Sequence, residues 1–304
     1  MNDMTLSEYD ISSGKQIGLL FNTQKPEAIE MAWRLWNWGK EKGIRFILPP
    51  HEASALSIPE TPDEVWRKEA SFAVILGGDG TFLRAARYTF GSAVPLYGIN
   101  LGRLGFLAIG SPKSAEADIE AIIRGEYTLQ LRRLLRGQVW RGGRMVHELH
   151  ALNDLVISKG NIARVIDLEV LVENETMSLF LADGLILSTP TGSTAYALSA
   201  GGPIVPPHVP CMIMAPICAH TLYARPVILS DTDRVLVRPK GETRNMILTQ
   251  DGQLGYELLP QDELHVMIDR ETCVETIQLN GRSYYDLLRE KLRWGFNGIR
   301  EEVE

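Results

Sequence analysis

The segment LGGDGT places Gly77, Gly78 and Gly80 around Asp79 directly after the apolar run SFAVI, with Thr81 completing the turn. Glycines let a main chain approach phosphate oxygens closely, and a helix starting there offers free N–H groups and the positive end of its dipole. Asp79 is then a carboxylate beside a phosphate site. Arg84, within the following TFLRAARYTF, is a candidate for the same phosphates. Asp-Gly is also an ordinary turn pair. A helical rather than strand-like sequence after it weakens that alternative.

Three other stretches carry polar groups in apolar surroundings. GINLGRLGFL sets three glycines among apolar residues, with Arg103 able to meet a phosphate; a tightly packed passage from strand to loop is the competing reading. In ALNDLVIS, Asn153 and Asp154 interrupt an apolar run, and both can face one ligand only at a bulge or strand end. An amide and a carboxylate suit vicinal ribose hydroxyls, although a structural turn would use them equally well. ADGLILSTPTGSTAYALSAGGPI is rich in Ser, Thr, Gly and Ala around Tyr196, a composition able to accept a flat base while hydroxyls and main-chain groups read its edge.

The elements around these stretches indicate how they are positioned. QIGLLFN, residues 44–48, SFAVIL and VPLYGIN read as strands alternating with helices at KPEAIEMAWRLWNWGKEKG and TFLRAARYTF. That alternation predicts an α/β domain with a parallel sheet, whose ligands bind beyond the carboxyl ends of the strands. From about residue 134 the pattern turns to short β-rich runs, predicting an all-β domain to about residue 280. The tail SYYDLLREKLRWG returns to helix; Tyr284, Leu287, Leu288, Leu292 and Trp294 give it an apolar face expected to pack back on the first domain. The expected division is 1–133, 134–280 and 281–304, with the ligand cleft between the two larger parts.

The chain has 304 residues, 45% of them hydrophobic, which is enough for a sizeable core. A net charge of -7 argues against non-specific nucleic-acid binding. Cys211, Cys218 and Cys273 form no metal or disulfide pattern, and the six histidines show no metal-ligand spacing, so a reducing cytoplasm is expected. The polar, acidic start resembles no export signal, and no apolar run is long enough to span a bilayer.

Taken together, VILGGDGTFLRAAR, YGINLGRLGFL, ALNDLVIS, DGLILSTPTGSTAYALSAGGPI and QDGQ resemble the ATP-dependent NAD kinase family, over nearly the whole chain. GGDGT by itself also resembles phosphofructokinases and diacylglycerol-type lipid kinases, so a lipid kinase is the rival enzyme and a non-catalytic NAD(P) sensor the rival binding protein. TPTGSTAYALSAGGP is the more specific motif.

The resemblance implies transfer of the ATP γ-phosphoryl group to the 2′-hydroxyl of the adenosine ribose of NAD, giving NADP. By position, Asp79 matches the proton acceptor, with Gly80 beside it. Asn153 and Asp154 match the pair that holds a ribose, and Asp183 an acid near the nicotinamide end. Thr194, Ala195, Tyr196, Ala197, Leu198 and Ser199 match the dinucleotide-binding segment, and Arg164 and Gln253 further ligand contacts. Magnesium carried on the ATP phosphates, and a homo-oligomer, a tetramer, are also implied. Two positions depart from many relatives: Asp154 stands where Glu is frequent, and Leu181 where an arginine is frequent.

Overall fold

A computed structural model of the chain describes residues 16–102, 104–160, 165–241, 245–279 and 283–293; Arg103, Arg164 and Trp294 lie outside them. The chain divides into two compact units. One comprises the residues up to Gln130 together with those from Glu275 onward, and the other runs from Leu131 to Val274.

The first unit begins with β1 (Gln16–Phe21), buried from Ile17 onward. Helix α1 (Pro26–Lys42) follows, opening on a proline where no intrahelical N–H is needed and closing at Gly43 in the left-handed region, φ 72°. Ala28, Met31, Ala32, Leu35 and Gly39 form its buried stripe at helical spacing. Then come β2 (Phe46–Ile47), α2 (Pro50–Leu56), α3 (Asp63–Glu69), β3 (Ala70–Leu76), α4 (Asp79–Tyr88), β4 (Leu96–Ile99) and α5 (Ala115–Ile123). The strands pair in parallel in the order β2-β1-β3-β4, with Leu20 opposite Ile75 and Val74 opposite Tyr97. Leu19, Phe21, Leu35, Phe72, Val74 and Leu76 are among the core residues, and burying each side chain contributes about 1.5–3 kcal/mol. Trp66 of α3 lies against Gly18, where any side chain would collide with its indole, and donates its ring N–H to the Ile47 carbonyl at 2.9 Å.

The second unit is β-rich. A long hairpin of β5 (Tyr127–Arg141) and β6 (Arg144–Ala151) turns at Gly142 and Gly143, both with positive φ. Its remaining strands are β7 (Asp154–Lys159), β8 (Ile166–Val172), β9 (Glu175–Ala182), β10 (Gly184–Ser188), β11 (Cys211–Ile217), β12 (Val227–Ser230), β13 (Val235–Lys240), β14 (Met246–Gln250), β15 (Leu254–Leu258) and β16 (Asp262–Leu279). Six form an antiparallel sheet, β12-β11-β10-β7-β14-β15, in which Leu187 faces Leu155 and Leu248 faces Ile157. β13 pairs antiparallel with β16 and β8, and β8 with β9. All of β10 is buried because both faces are covered: Leu185 and Leu187 join the main core, while Ile186 packs with Val156, Ala215 and Ala197 of α6 (Tyr196–Ser199).

From Glu275 the chain is again part of the first unit. Thr276 pairs in parallel with Leu96, extending that sheet. Helix α7 (Tyr284–Leu292) starts with a capping box between Ser283 and Asp286, buries Leu287 and Leu288, and sets Lys291 Nζ 5.3 Å from the Phe106 ring centre. The parallel first sheet and antiparallel second sheet agree with the α/β-plus-β expectation. Helices α2, α3 and α5 go beyond it, being too short for a clear periodic signal. Among the described residues, no helix is long and apolar enough to cross a membrane.

Candidate active site

The glycine turn lies at the carboxyl end of β3, in the middle of the parallel strands. Gly78 precedes α4, and open space lies where its side chain would be. Gly77 is buried against Thr81, whose side chain occupies the place of a Cβ there; this contact, rather than a ligand, accounts for that glycine. Asp79 is the first residue of α4 and is half-buried, with Gly80 exposed and Thr81 buried. A carboxylate at that position also suits the positive end of the helix dipole.

Asp79 does not point into solvent. Its carboxylate accepts three consecutive main-chain N–H groups from the loop after β4: Phe106 at 2.8 Å, Leu107 at 3.0 Å and Ala108 at 3.2 Å. That loop is fixed at both ends, since the Asn100 N–H donates to Gly110 O and the Gly110 N–H to Gly98 O. Two glycines of GINLGRLGFL are explained by close packing: Gly98 makes room for Ala108 and Phe82, and Gly105 for Asp79 itself. Gly102 alone of the three has open space around it.

Arg84 leans over the end of β1. One Nη donates to the Phe21 carbonyl at 2.8 Å and to the Glu52 carboxylate at 2.6 Å, and Glu52 is buried to 1% exposure. His51 lies 3.8 Å from the other Glu52 oxygen. Arg84 therefore has a structural engagement.

In the second unit, Asn153 and Asp154 stand at the mouth of a strand, where both can face one side: Asp154 is the first residue of β7. The turn is built around Asp251, at the tip of the β14–β15 hairpin, whose carboxylate accepts the N–H groups of Leu152 (3.2 Å), Asn153 (2.7 Å) and Asp154 (3.2 Å). Asp154 is 4% exposed. Burial first, and the neighbouring Asp251 charge second, push its carboxyl up to about 7, against the opposing pull of a hydrogen bond from the Tyr196 main chain. Asn153 Oδ1 is buried and has no partner among the described residues.

The Ser- and Thr-rich loop wraps this turn, and most of its hydroxyls serve the fold. The Ser188 hydroxyl lies within reach of the Asn153 and Thr189 carbonyls, Thr189 donates to Leu152 O at 2.6 Å, and Ser193 spans Pro190 O and the main chain of Val205. Gly192 is required because the Asn153 carbonyl occupies its Cβ position. Within residues 194–199, expected from the resemblance to bind the dinucleotide, Thr194, Ala195 and Leu198 are half-buried, Ser199 is exposed and Tyr196 is 46% exposed, whereas the Ala197 side chain is in the core. Asp183, in the step between β9 and β10, is ion-paired with Lys159 Nζ at 2.6 Å. Gln253 is exposed on the hairpin that carries Asp251.

Sequence reasoning missed Asp251 and Lys159. Asp251 left a signal in the Asp-Gly of QDGQ, which reads as a turn but not as a turn that holds another. Among the described residues, no three His, Cys, Asp or Glu gather as a metal site.

Both halves match models of one family, the ATP-NAD kinase N-terminal domain over residues 17–127 and the ATP-NAD kinase C-terminal domain over residues 152–278. The chain is 37% identical to the NAD kinase of Geotalea daltonii, over 92% of this chain and 99% of that one, and 39% identical to the NAD kinase of Moorella thermoacetica, over 95% and 92%. Its fold is similar to that of yeast NADH kinase complexed with NADH (TM-score 0.85, 25% identity, 95% of this chain and 90% of that one). It is also similar to that of an NAD kinase from Archaeoglobus fulgidus in complex with ATP (TM-score 0.70, 24% identity, 91% and 98%). With GGDGT at the carboxyl end of a central parallel strand and the Asn153–Asp154 pair at the mouth of an antiparallel one, the chain belongs to the NAD kinase family.

Proposed function

We propose that this NAD kinase transfers the γ-phosphoryl group of ATP to the 2′-hydroxyl of the adenosine ribose of NAD, giving NADP, with Asp79 as the proton acceptor. The observation that carries the reading is Asp79 at the first residue of α4, beside the open space at Gly78, in a chain whose two halves both match the family. Phosphoryl transfer depends chiefly on alignment and charge neutralisation, so a site held by main-chain bonds is what the chemistry requires. A carboxylate has about four lone-pair sites. Three face the loop N–H groups, and the remaining one is left for the acceptor hydroxyl.

Gly78, Gly80 and the start of α4 then cradle donor phosphates, with Arg84 alongside. The donor is the complex of ATP with a divalent cation, magnesium by the preference of hard cations for phosphate oxygens. Asn153 and Asp154 take a ribose of the acceptor, Tyr196 flanks a base, and Asp183, still paired with Lys159, lies toward the carboxamide end. An odd number of cysteines without CxxC spacing supports a reducing, cytoplasmic setting, and the family resemblance supports a tetramer. Incubating the pure protein with NAD, ATP and magnesium and measuring NADP tests the reading; absence of product would overturn it. Parallel reactions with NADH and with polyphosphate establish the acceptor and donor preferences, and sedimentation the assembly.

A further inference from the structure

The main chain of the turn at Leu152, Asn153 and Asp154 is saturated from inside the protein. Its three N–H groups converge on Asp251, the Leu152 carbonyl accepts the Thr189 hydroxyl, and the Asn153 carbonyl accepts the Thr189 N–H at 2.9 Å and the Ser188 hydroxyl. The Asp154 carbonyl takes the Asp251 N–H at 2.9 Å, so the two residues are bonded in both directions. Three successive N–H groups aimed at one carboxylate form an anion-holding concavity, filled here by a side chain of the protein. Only the side chains of Asn153 and Asp154 remain to meet a ligand, and Asn153 Oδ1 is buried without a partner among the described residues. Asp251 and Gly252 both have positive φ, 51° and 61°, so the hairpin tip is shaped to deliver this carboxylate.

We propose that Asp251 is a positioning residue for the acceptor nucleotide, fixing the Asn153–Asp154 turn so that both side chains address one ribose. The inference rests on the assignment of that pair to the ribose. Asp251 has a second effect through its charge. The groups facing Asp154 are the Asp251 carboxylate from the hairpin and the Tyr196 main-chain N–H from α6, with Ser188 opposite on β10. Removing the Asp251 charge therefore makes Asp154 a stronger acid.

The test is Asp251→Asn in the full chain, because Asn tolerates the left-handed region and keeps the turn conformation. The variant is expected to raise KM for NAD at least about fivefold, from loosened bonds to a charged acceptor, with KM for ATP within about twofold. The acid limb of the pH profile of KM for NAD should also move to lower pH, a readout that general loosening would not shift. Unchanged KM and pH profile, or equal rises for both substrates, would overturn the proposal. Asn153→Ala separates this from the parent reading: if KM for NAD is unaffected there, the ribose assignment itself fails. If Asn153→Ala weakens NAD and Asp251→Asn does not, the failure belongs to Asp251 alone.

Discussion

The Asp79 carboxylate occupies the space that a side chain at Gly105 would need. The two residues are far apart in sequence, yet the glycine is what allows the loop after β4 to close its N–H groups onto the acid. Gly105→Ala must displace Asp79 or break the clamp, since a backbone-held carboxylate has little freedom to retreat. The expected result is loss of most NADP formation, with a stability loss of about 1–3 kcal/mol as for overpacked sites. Denaturant unfolding alongside the activity assay checks it. Wild-type behaviour in both would mean that the contact yields freely.

Asp79→Asn preserves volume but turns an amide NH2 toward at least one loop N–H. Turnover should fall at least about tenfold, the lower bound for losing a general base whose usual contribution is ~10²–10⁴. Because the clamp is also weakened, a modest loss of stability, about 1–3 kcal/mol for an unsatisfied buried donor, should accompany it. Steady-state kinetics and thermal melts of the same preparation are the measurements. Near-wild-type turnover removes Asp79 from proton transfer.

Asp154 makes stability depend on pH in a definite direction. Its carboxyl is raised from 3.8 to about 7 in the fold, so the folded protein binds a proton more tightly than the unfolded chain does. The contribution is fully present below pH 3.8 and is lost as the pH rises through about 7. At 1.36 kcal/mol per unit, the difference is on the order of 4 kcal/mol. Asp154→Asn should remove this slope, so that comparing wild type and variant by urea unfolding at pH 5 and pH 8 shows the wild type losing more. Identical slopes would count against a protonated Asp154.

Tyr196 combines an exposed ring with a main-chain N–H that bonds Asp154, so truncating its side chain spares the packing. Tyr196→Ala is expected to weaken NAD by roughly tenfold or more, on the analogy of base–aromatic stacking worth about 1–3 kcal/mol, while ATP binding changes less. Calorimetric titration with each nucleotide checks this, with circular dichroism to verify folding. Equal weakening for both nucleotides would place the acceptor on a different loop.

The sequence by itself determined the alternation that makes a parallel sheet, the change to β-rich runs, and the placing of a glycine-flanked acid where β3 ends. These are local properties: apolar periodicity, turn residues and capping act over a few positions. It put Asn153 and Asp154 inside or at the end of a strand and limited a shared ligand to a bulge or strand end, because adjacent side chains of a regular strand point to opposite faces. What Asp79 and Asp251 bond to was decided by tertiary structure. Each gathers three successive N–H groups from a loop that is distant in sequence, a pairing that no periodicity encodes. Close packing around the glycines at 98 and 105 was legible as a strand-to-loop passage, but that Ala108, Asp79 and, at Gly192, Asn153 fill their space was decided by the fold. The same holds for the hydroxyls of Ser188, Thr189 and Ser193, which turn inward to main-chain partners. A residue type limits which bonds it can make, but which partner comes within reach depends on how strands and loops pack, and that is a property of the folded chain.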